Sequence, residues 1–399
     1  MSQKRVLFIS GSLGLGHIFR DLAIVRELRL LFENLEVSWL AAPPADQVVL
    51  EAGELLLPEA AGLVDENEIA EGLADGTRLN LIKYAFGIKG KWSRNVDIVN
   101  SVTDSTHYDL IVGDETYELI LAYKKNPSLK KLPFVMILDF IGFDATTRNP
   151  LERLGVYFWN KKWSEGMNRA SDYVDLSLFV GEEEDIPDES FGFLLPRRRD
   201  WARATCKFVG NIFPFAPEDY RDRTTVRKKL GYGEAPLVIC SIGGTAIGKD
   251  LLMLCRDAFP YVARQNPDLR MILVCGPRLD LDNTKLPNGV EVKGYVPNLY
   301  EHFAASDLAV VQGGGTTTLE LTALRRPFLY FPIEGHSEQE IHIANRLKRH
   351  GAGQKMVLSS ATPESLAAAI LNNLGKVVSY PPIPVDGAKV AALNISELL

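Results

Sequence analysis

The sequence predicts an α/β protein made of two doubly wound, Rossmann-like domains, and three observations carry that expectation. Short apolar runs rich in β-formers alternate with helical patterns almost from end to end. Three of those runs pass through glycine-rich turns into helices, and 399 residues exceed what one hydrophobic core ordinarily supports. Strands that stay apolar along their length belong to parallel sheets covered by helices on both faces. In the first half the strands fall near 5–9, 35–41, 109–113, 134–138 and 173–179, with helices near 17–33, 78–103, 116–126 and 151–170. The second half repeats the plan, with strands near 237–242, 270–275, 290–293, 308–312, 328–331 and 354–357 and helices near 249–265, 298–305, 316–324, 338–350 and 362–375. Glycine and two prolines in 207–217 interrupt any regular element, which puts a first domain at 1–212 and a second at 213–380. A proline-rich break at 380–384 precedes a short terminal helix in 381–399, expected to pack back on the first domain.

Composition narrows the setting. A hydrophobic fraction of 46% and a charged fraction of 24% are ordinary for a soluble protein, and no apolar run approaches the ~20 residues that span a bilayer. The first residues lead straight into a strand, with no signal-peptide pattern, so a cytoplasmic protein is expected. The four cysteines, Cys206, Cys240, Cys255 and Cys275, form no C-x-x-C pair and are read as reduced and structural. A formal net charge of −7 gives no general attraction to nucleic acid or anionic lipid, so an anionic ligand has to be held by local dipoles and a few basic groups.

The glycine turns supply such dipoles. Val310 to Glu320 runs from an apolar strand through Gly313, Gly314 and Gly315 into a helix with a glutamate one turn inside. Glycines let the backbone come close to a ligand, and the free N–H groups and dipole of the new helix favour phosphate or diphosphate there. Leu237 to Gly248 and Val6 to His17 repeat the arrangement. In open α/β sheets ligands bind beyond the carboxyl ends of strands, so two facing domains would share one cleft. No turn has the G-x-G-x-x-G spacing followed by a ribose-binding acid, which argues against a dehydrogenase.

With these residues in view the chain resembles the GT-B glycosyltransferases, most closely those of family 28, which includes the N-acetylglucosaminyltransferase of peptidoglycan synthesis. Gly14-Leu15-Gly16-His17 with Arg20-Asp21 is similar to the family's N-terminal turn, Ile242 to Ala246 to its second glycine loop, and Gly294 to Pro297 to its nucleobase loop. Gly313 to Glu320, Arg326 to Pro332, and His336 through Asn345 resemble the donor-binding region. Two departures stand out: three consecutive threonines in the donor stretch, and a wider spacing from Glu338-Gln339 to Asn345. The resemblance implies an inverting transfer from a nucleotide-sugar, UDP-linked, to a hydroxyl acceptor. No metal and no cofactor are expected.

Each candidate residue has a plain structural alternative. His17, at a helix start whose dipole disfavours positive charge, is the candidate general base, against a histidine that only lines the turn. Asp114, ending a strand on the same rim, would fix its tautomer; Glu115 is the rival, Asp139 a third candidate, and capping is the structural reading of all such positions. Glu320 fits a capping box with Thr317, while the resemblance makes it the acceptor for the ribose hydroxyls. Gly16, Gly314, Gly315, Thr316 and Thr317 would serve the diphosphate together with Ser241, Gly243, Gly244 and Thr245. Tyr295 and Val296 would lie against the base, Glu338 and Gln339 would meet the transferred sugar, and His336 would touch phosphate. Two basic-aromatic stretches, 83–94 and 191–201, are either amphipathic elements with a solvated face or a weak peripheral membrane contact. Two rivals keep the scaffold: a nucleotide-sugar hydrolase with water as acceptor, and a nucleotide-sugar binding protein without turnover.

Overall fold

Two parallel sheets organise the computed structural model, which describes residues 3–11, 13–75, 78–79, 87–88, 90–165, 172–281 and 286–399. The first contains β1 (Lys4–Ile9), β2 (Leu35–Leu40), β3 (Leu55–Leu56), β4 (Leu110–Asp114), β5 (Phe134–Leu138), β6 (Leu176–Val180) and β7 (Cys206–Gly210), in the order β3-β2-β1-β4-β5-β6-β7. The second contains β8 (Leu237–Ser241), β9 (Arg270–Val274), β10 (Val290–Lys293), β11 (Leu308–Gln312), β12 (Phe328–Phe331) and β13 (Gln354–Lys355), in the order β10-β9-β8-β11-β12-β13. Every pairing within these two sheets is parallel. Both orders reverse beside their first strand, between β1 and β4 and between β8 and β11. Loops leaving the carboxyl ends of those strand pairs part to opposite faces and leave a crevice at the switch point.

The strands explain themselves by burial. Residues 6–9, 110–114, 134–138 and 237–241 are buried without interruption, as expected of strands covered on both faces. Leu7, Ile111, Phe134, Met136 and Phe179 join the core of the first sheet. Cys240, Cys255, Phe259, Leu273 and Val310 build one core of the second, and Ile239, Phe303, Val311 and Tyr330 the other. All four cysteines are buried free thiols. No helix among the described residues is long and apolar enough to cross a membrane.

The chain separates into one unit of 1–72, 81–214 and 384–399 and another of 73–80 and 215–383. In the first, the terminal helix Gly387–Ser396 packs on helix Gly16–Leu31 and on β7. Gly387 allows that approach: a Cβ there would meet Asn211 O at 2.5 Å.

Three expectations need correction. The stretch 207–217, read as irregular, begins inside the edge strand β7, which is only partly buried as an edge permits. A helix does not begin at 78: Ala74–Asp75 and Arg78–Leu79 form an antiparallel pair and the helix covers Trp92–Ser105, while residues 80–86 and 89 lie outside the described set. The helix expected over 151–170 spans Pro150–Ser164, with 166–171 likewise outside.

Candidate active site

Strand β1 ends at Ile9, and the chain turns through glycines into helix Gly16–Leu31. Gly14 sits at φ +81°, a left-handed conformation suited to glycine. Gly11 makes room for chemistry, because a Cβ there would come within 2.8 Å of the His17 ring. On the helix His17, Arg20 and Asp21 are spaced i, i+3 and i+4, so they share one face, and that face meets the ends of β4 and β5.

Arg20 is the hub. Its Nε donates to Asp114 Oδ2 at 2.7 Å, its Nη2 to Asp114 Oδ1 at 2.5 Å and its Nη1 to Asp139 Oδ2 at 2.7 Å. Asp21, also buried, accepts from Ser10 Oγ at 2.7 Å. His17 Nδ1 lies 3.1 Å from Asp114 Oδ2 and 2.8 Å from Arg20 Nη2. The first contact needs a proton on Nδ1 and the second a lone pair, so one tautomer satisfies only one of them. Asp114 is held by the guanidinium fork in both cases. The other ring nitrogen, Nε2, faces Glu115 Oε2 at 3.9 Å, with both side chains still partly open at 13% and 18% exposure.

Burial alone would push every carboxyl of this cluster up; the neighbours decide which ones resist. For Asp114 the Arg20 guanidinium and His17 outweigh burial and hold it at about 2. Asp139 is likewise held below the usual carboxylate range, by Arg20 and His17. Glu115 is pushed well up by burial and by the charges of Asp139 and Asp114, and Asp21 by burial and Asp114. One cation thus keeps two carboxylates ionised while two others favour their protons.

Of the three acids proposed as partners of His17, Asp114 reaches Nδ1, Glu115 lies on the Nε2 side, and Asp139 connects through Arg20. The sequence reading gave no role to Arg20, Asp21 or Ser10. The signal was present in the helical spacing of Arg20 and Asp21 from His17, since two charged residues on the buried face of a helix require partners.

The second unit places two glycine turns at its switch point. After β11 the helix Gly315–Ala323 begins with Gly314 as N-cap, and no side chain caps it. Its first amides, on Gly315, Thr316 and Thr317, have no acceptor within the helix. Thr318 bonds back to Gly314 O at 2.8 Å, leaving Thr316 and Thr317 half-buried at the open end. The capping-box alternative for Glu320 fails, because Thr317 lies inside the helix rather than at its N-cap. Glu320 is buried, its carboxyl has no hydrogen-bond or ion-pair partner among the described residues, and burial pushes it up to about 8.

Beyond β8, Gly243 at φ +76° accompanies Gly276, where a Cβ would meet Gly243 O at 2.3 Å. Ser241 Oγ accepts from Gly243 N at 3.3 Å, Gly244 is buried, and Thr245 Oγ1 is a buried hydroxyl without a partner among the described residues. Tyr295 and Val296 are half-buried, with Val296 turned partly into the core. His336 is buried, Gln339 Oε1 accepts from Ile333 N at 2.9 Å, and Glu338 comes within van der Waals reach of the position a Gly315 Cβ would take. Residues Glu338–Ile343 form a π-helix, which adds a residue to the turn and accounts for the wide spacing to Asn345.

Solved structures share this architecture. The glycotransferase of kitacinnamycin superposes over 100% of this chain and 94% of its own with a TM-score of 0.62 at 16% identity. MurG of Acinetobacter baumannii superposes over 99% of both chains with a TM-score of 0.51 at 15% identity. The fold is therefore that of the GT-B enzymes. An uncharacterized glycosyltransferase of Methanosarcina mazei is 34% identical over 374 residues, covering 92% of this chain and 89% of its own length. A pyrophosphoryl-undecaprenol N-acetylglucosamine transferase of Carboxydothermus hydrogenoformans is 28% identical over 157 residues, 38% of this chain and 42% of its own. Residues 238–377 match the glycosyltransferase family 28 C-terminal domain. With the Methanosarcina relative matched over nearly its whole length, the chain belongs to the glycosyltransferases.

Proposed function

We propose that this enzyme is an inverting glycosyltransferase that moves a sugar from a UDP-sugar to a hydroxyl acceptor in the cytoplasm. The observation that carries the reading is His17 at the end of β1, fixed against Asp114 by Arg20 and open on its Nε2 side. A neutral imidazole there takes the acceptor proton as the oxygen attacks C1 of the sugar, on the face opposite the diphosphate. The second unit holds the donor. The open amides and dipole of helix Gly315–Ala323 receive the diphosphate with Thr316, Thr317 and the Ser241–Thr245 turn, and they take up the leaving-group charge without a metal. Glu320, buried without a hydrogen-bond partner among the described residues, receives the ribose hydroxyls, and Tyr295 and Val296 the base. Glu338, Gln339 and His336 are assigned to the sugar and phosphate. UDP is favoured because the Carboxydothermus relative belongs to an enzyme named for UDP-N-acetylglucosamine.

The test is a panel of UDP, TDP and their sugars in thermal-shift and turnover assays. Stabilisation by UDP-sugars with transfer to an added acceptor is expected. Free sugar at catalytic rates without acceptor would make the enzyme a hydrolase, and stabilisation without turnover a binding protein.

The proposal includes a weak peripheral contact with an anionic membrane. On helix Pro150–Ser164 the residues Leu151, Leu154 and Phe158 are exposed on one stripe, followed by exposed Lys161 and Lys162. The exposed pair Phe193-Leu194 lies beside them, tied by Tyr157 Oη donating to Phe193 O at 3.4 Å. Within 191–201 the basic residues divide: Arg198 is buried against Asp144, whereas Arg197 is exposed. The 83–94 stretch lies largely outside the described residues.

A further inference from the structure

Glu115 is built to present one oxygen to a ligand. Its backbone has φ +53°, a left-handed conformation that costs a non-glycine residue energy and concentrates at functional positions. Two backbone hydrogen bonds hold it there: Glu115 N donates to Ile137 O at 3.0 Å, and Tyr117 N donates to Glu115 O at 2.9 Å. The side chain is divided as well. Tyr117 Oη donates to Oε1 at 3.3 Å, and the Tyr117 ring is itself seated against Trp163 at 5.4 Å between centroids. The carboxyl also hydrogen-bonds the Asp139 side chain, and Oε2 lies 3.9 Å from His17 Nε2.

That separation is too long for a hydrogen bond and suits an atom held by both groups. An oxygen lying ~2.8 Å from each, an ordinary hydrogen-bond length, fits between positions 3.9 Å apart. The groups facing Glu115 are Asp114 at the end of β4, Asp139 after β5, Arg20 and His17 on the helix, and Tyr117. Burial and the charges of Asp139 and Asp114 favour the proton on Glu115.

We propose that Glu115 and His17 act as one proton-sharing pair, with the acceptor hydroxyl gripped between Glu115 Oε2 and His17 Nε2. This rests on the transfer reading above. The hydroxyl donates its hydrogen to whichever of the two is unprotonated and accepts a hydrogen bond from the other. On attack the O–H bond breaks with its proton passing to the pair, the oxygen–C1 bond forms, and the C1–oxygen bond to the diphosphate breaks with its electrons on the diphosphate. With Nδ1 protonated, Nε2 is the base and Glu115 the donor; with Nε2 protonated, the base is the ionised Glu115 carboxylate. Tyr117 is a positioning residue for Oε1.

The test measures UDP release from UDP-N-acetylglucosamine, with water and with octyl glucoside as acceptors, in wild type, Glu115→Gln, His17→Ala and the double variant. Each single variant is expected to lose ~10²-fold or more in rate, with UDP affinity within about twofold of wild type. The double variant is expected to be no slower than the slower single by more than about threefold, because residues acting as a unit do not contribute independently. Losses that multiply, or an undiminished rate in Glu115→Gln, would overturn the pair. A second readout needs no turnover: the 15N shift of His17 Nε2 is expected to move by several ppm in Glu115→Gln, and an unmoved resonance overturns the proposal. If wild type cleaves no nucleotide-sugar the transfer reading fails, and the imidazole resonance alone decides the Glu115–His17 contact.

Discussion

Arg20 illustrates how much a single buried cation can organise. It makes three hydrogen bonds to two carboxylates, and Asp114 is completely buried. Removing one partner of a buried ion pair leaves an uncompensated charge and costs ~3–5 kcal/mol. Arg20→Met is therefore expected to lower the urea midpoint substantially as well as the rate. His17→Ala should separate the two effects: turnover falling ~10²–10⁴-fold, with the denaturation midpoint and UDP affinity close to wild type. An unchanged rate in His17→Ala would remove it from the chemistry. Histidine after a glycine turn was legible in the sequence because turn and helix start are local features. Arg20's role was not, since its partners lie 94 and 119 positions away and are supplied by the sheet order.

Among the elements, helix Gly315–Ala323 carries a titration as well as the proposed donor site. Glu320 is pushed up to about 8 by burial, above an ordinary value of 4.5. The folded state then holds the proton over a range where the unfolded chain has lost it. Stability is thus expected to fall as pH rises from about 4.5 to about 8 and to level off above, by roughly 5 kcal/mol at most. Glu320→Gln should abolish that decline, giving a variant more stable than wild type at pH 9 in urea titrations yet weaker in UDP binding. A variant with the wild-type pH slope would refute the burial argument. The loops offer a second check: Gly276→Ala puts a Cβ 2.3 Å from Gly243 O, so the Ser241–Thr245 turn has to shift and UDP affinity should drop at least ~10-fold. Local pattern explains why most strands were found within a residue or two of their ends, since continuous burial needs continuous apolar sequence. It also explains why β7 was missed. Cys206–Gly210 is only partly buried and lies next to a proline-rich stretch, and only its pairing with β6 makes it a strand.

For the whole molecule, the measurable consequence of the donor assignment is ligand-linked stability. A nucleotide-sugar at 100 times its Kd should add ~2.7 kcal/mol, and a panel in which no nucleotide raises the melting temperature would count against the reading. Vesicle sedimentation addresses the exposed stripe: binding to phosphatidylglycerol vesicles, weakened by salt and by Leu154→Ser with Phe158→Ser, is expected, and equal binding by the variant would exclude the stripe. The chain leaves its first unit near 214 and returns at 384, ending on the same helix that carries His17. Clipping the last sixteen positions would therefore unseat the imidazole proposed as base from a place hundreds of residues downstream, so a shortened enzyme is expected still to grip nucleotide while losing its ability to deprotonate an alcohol.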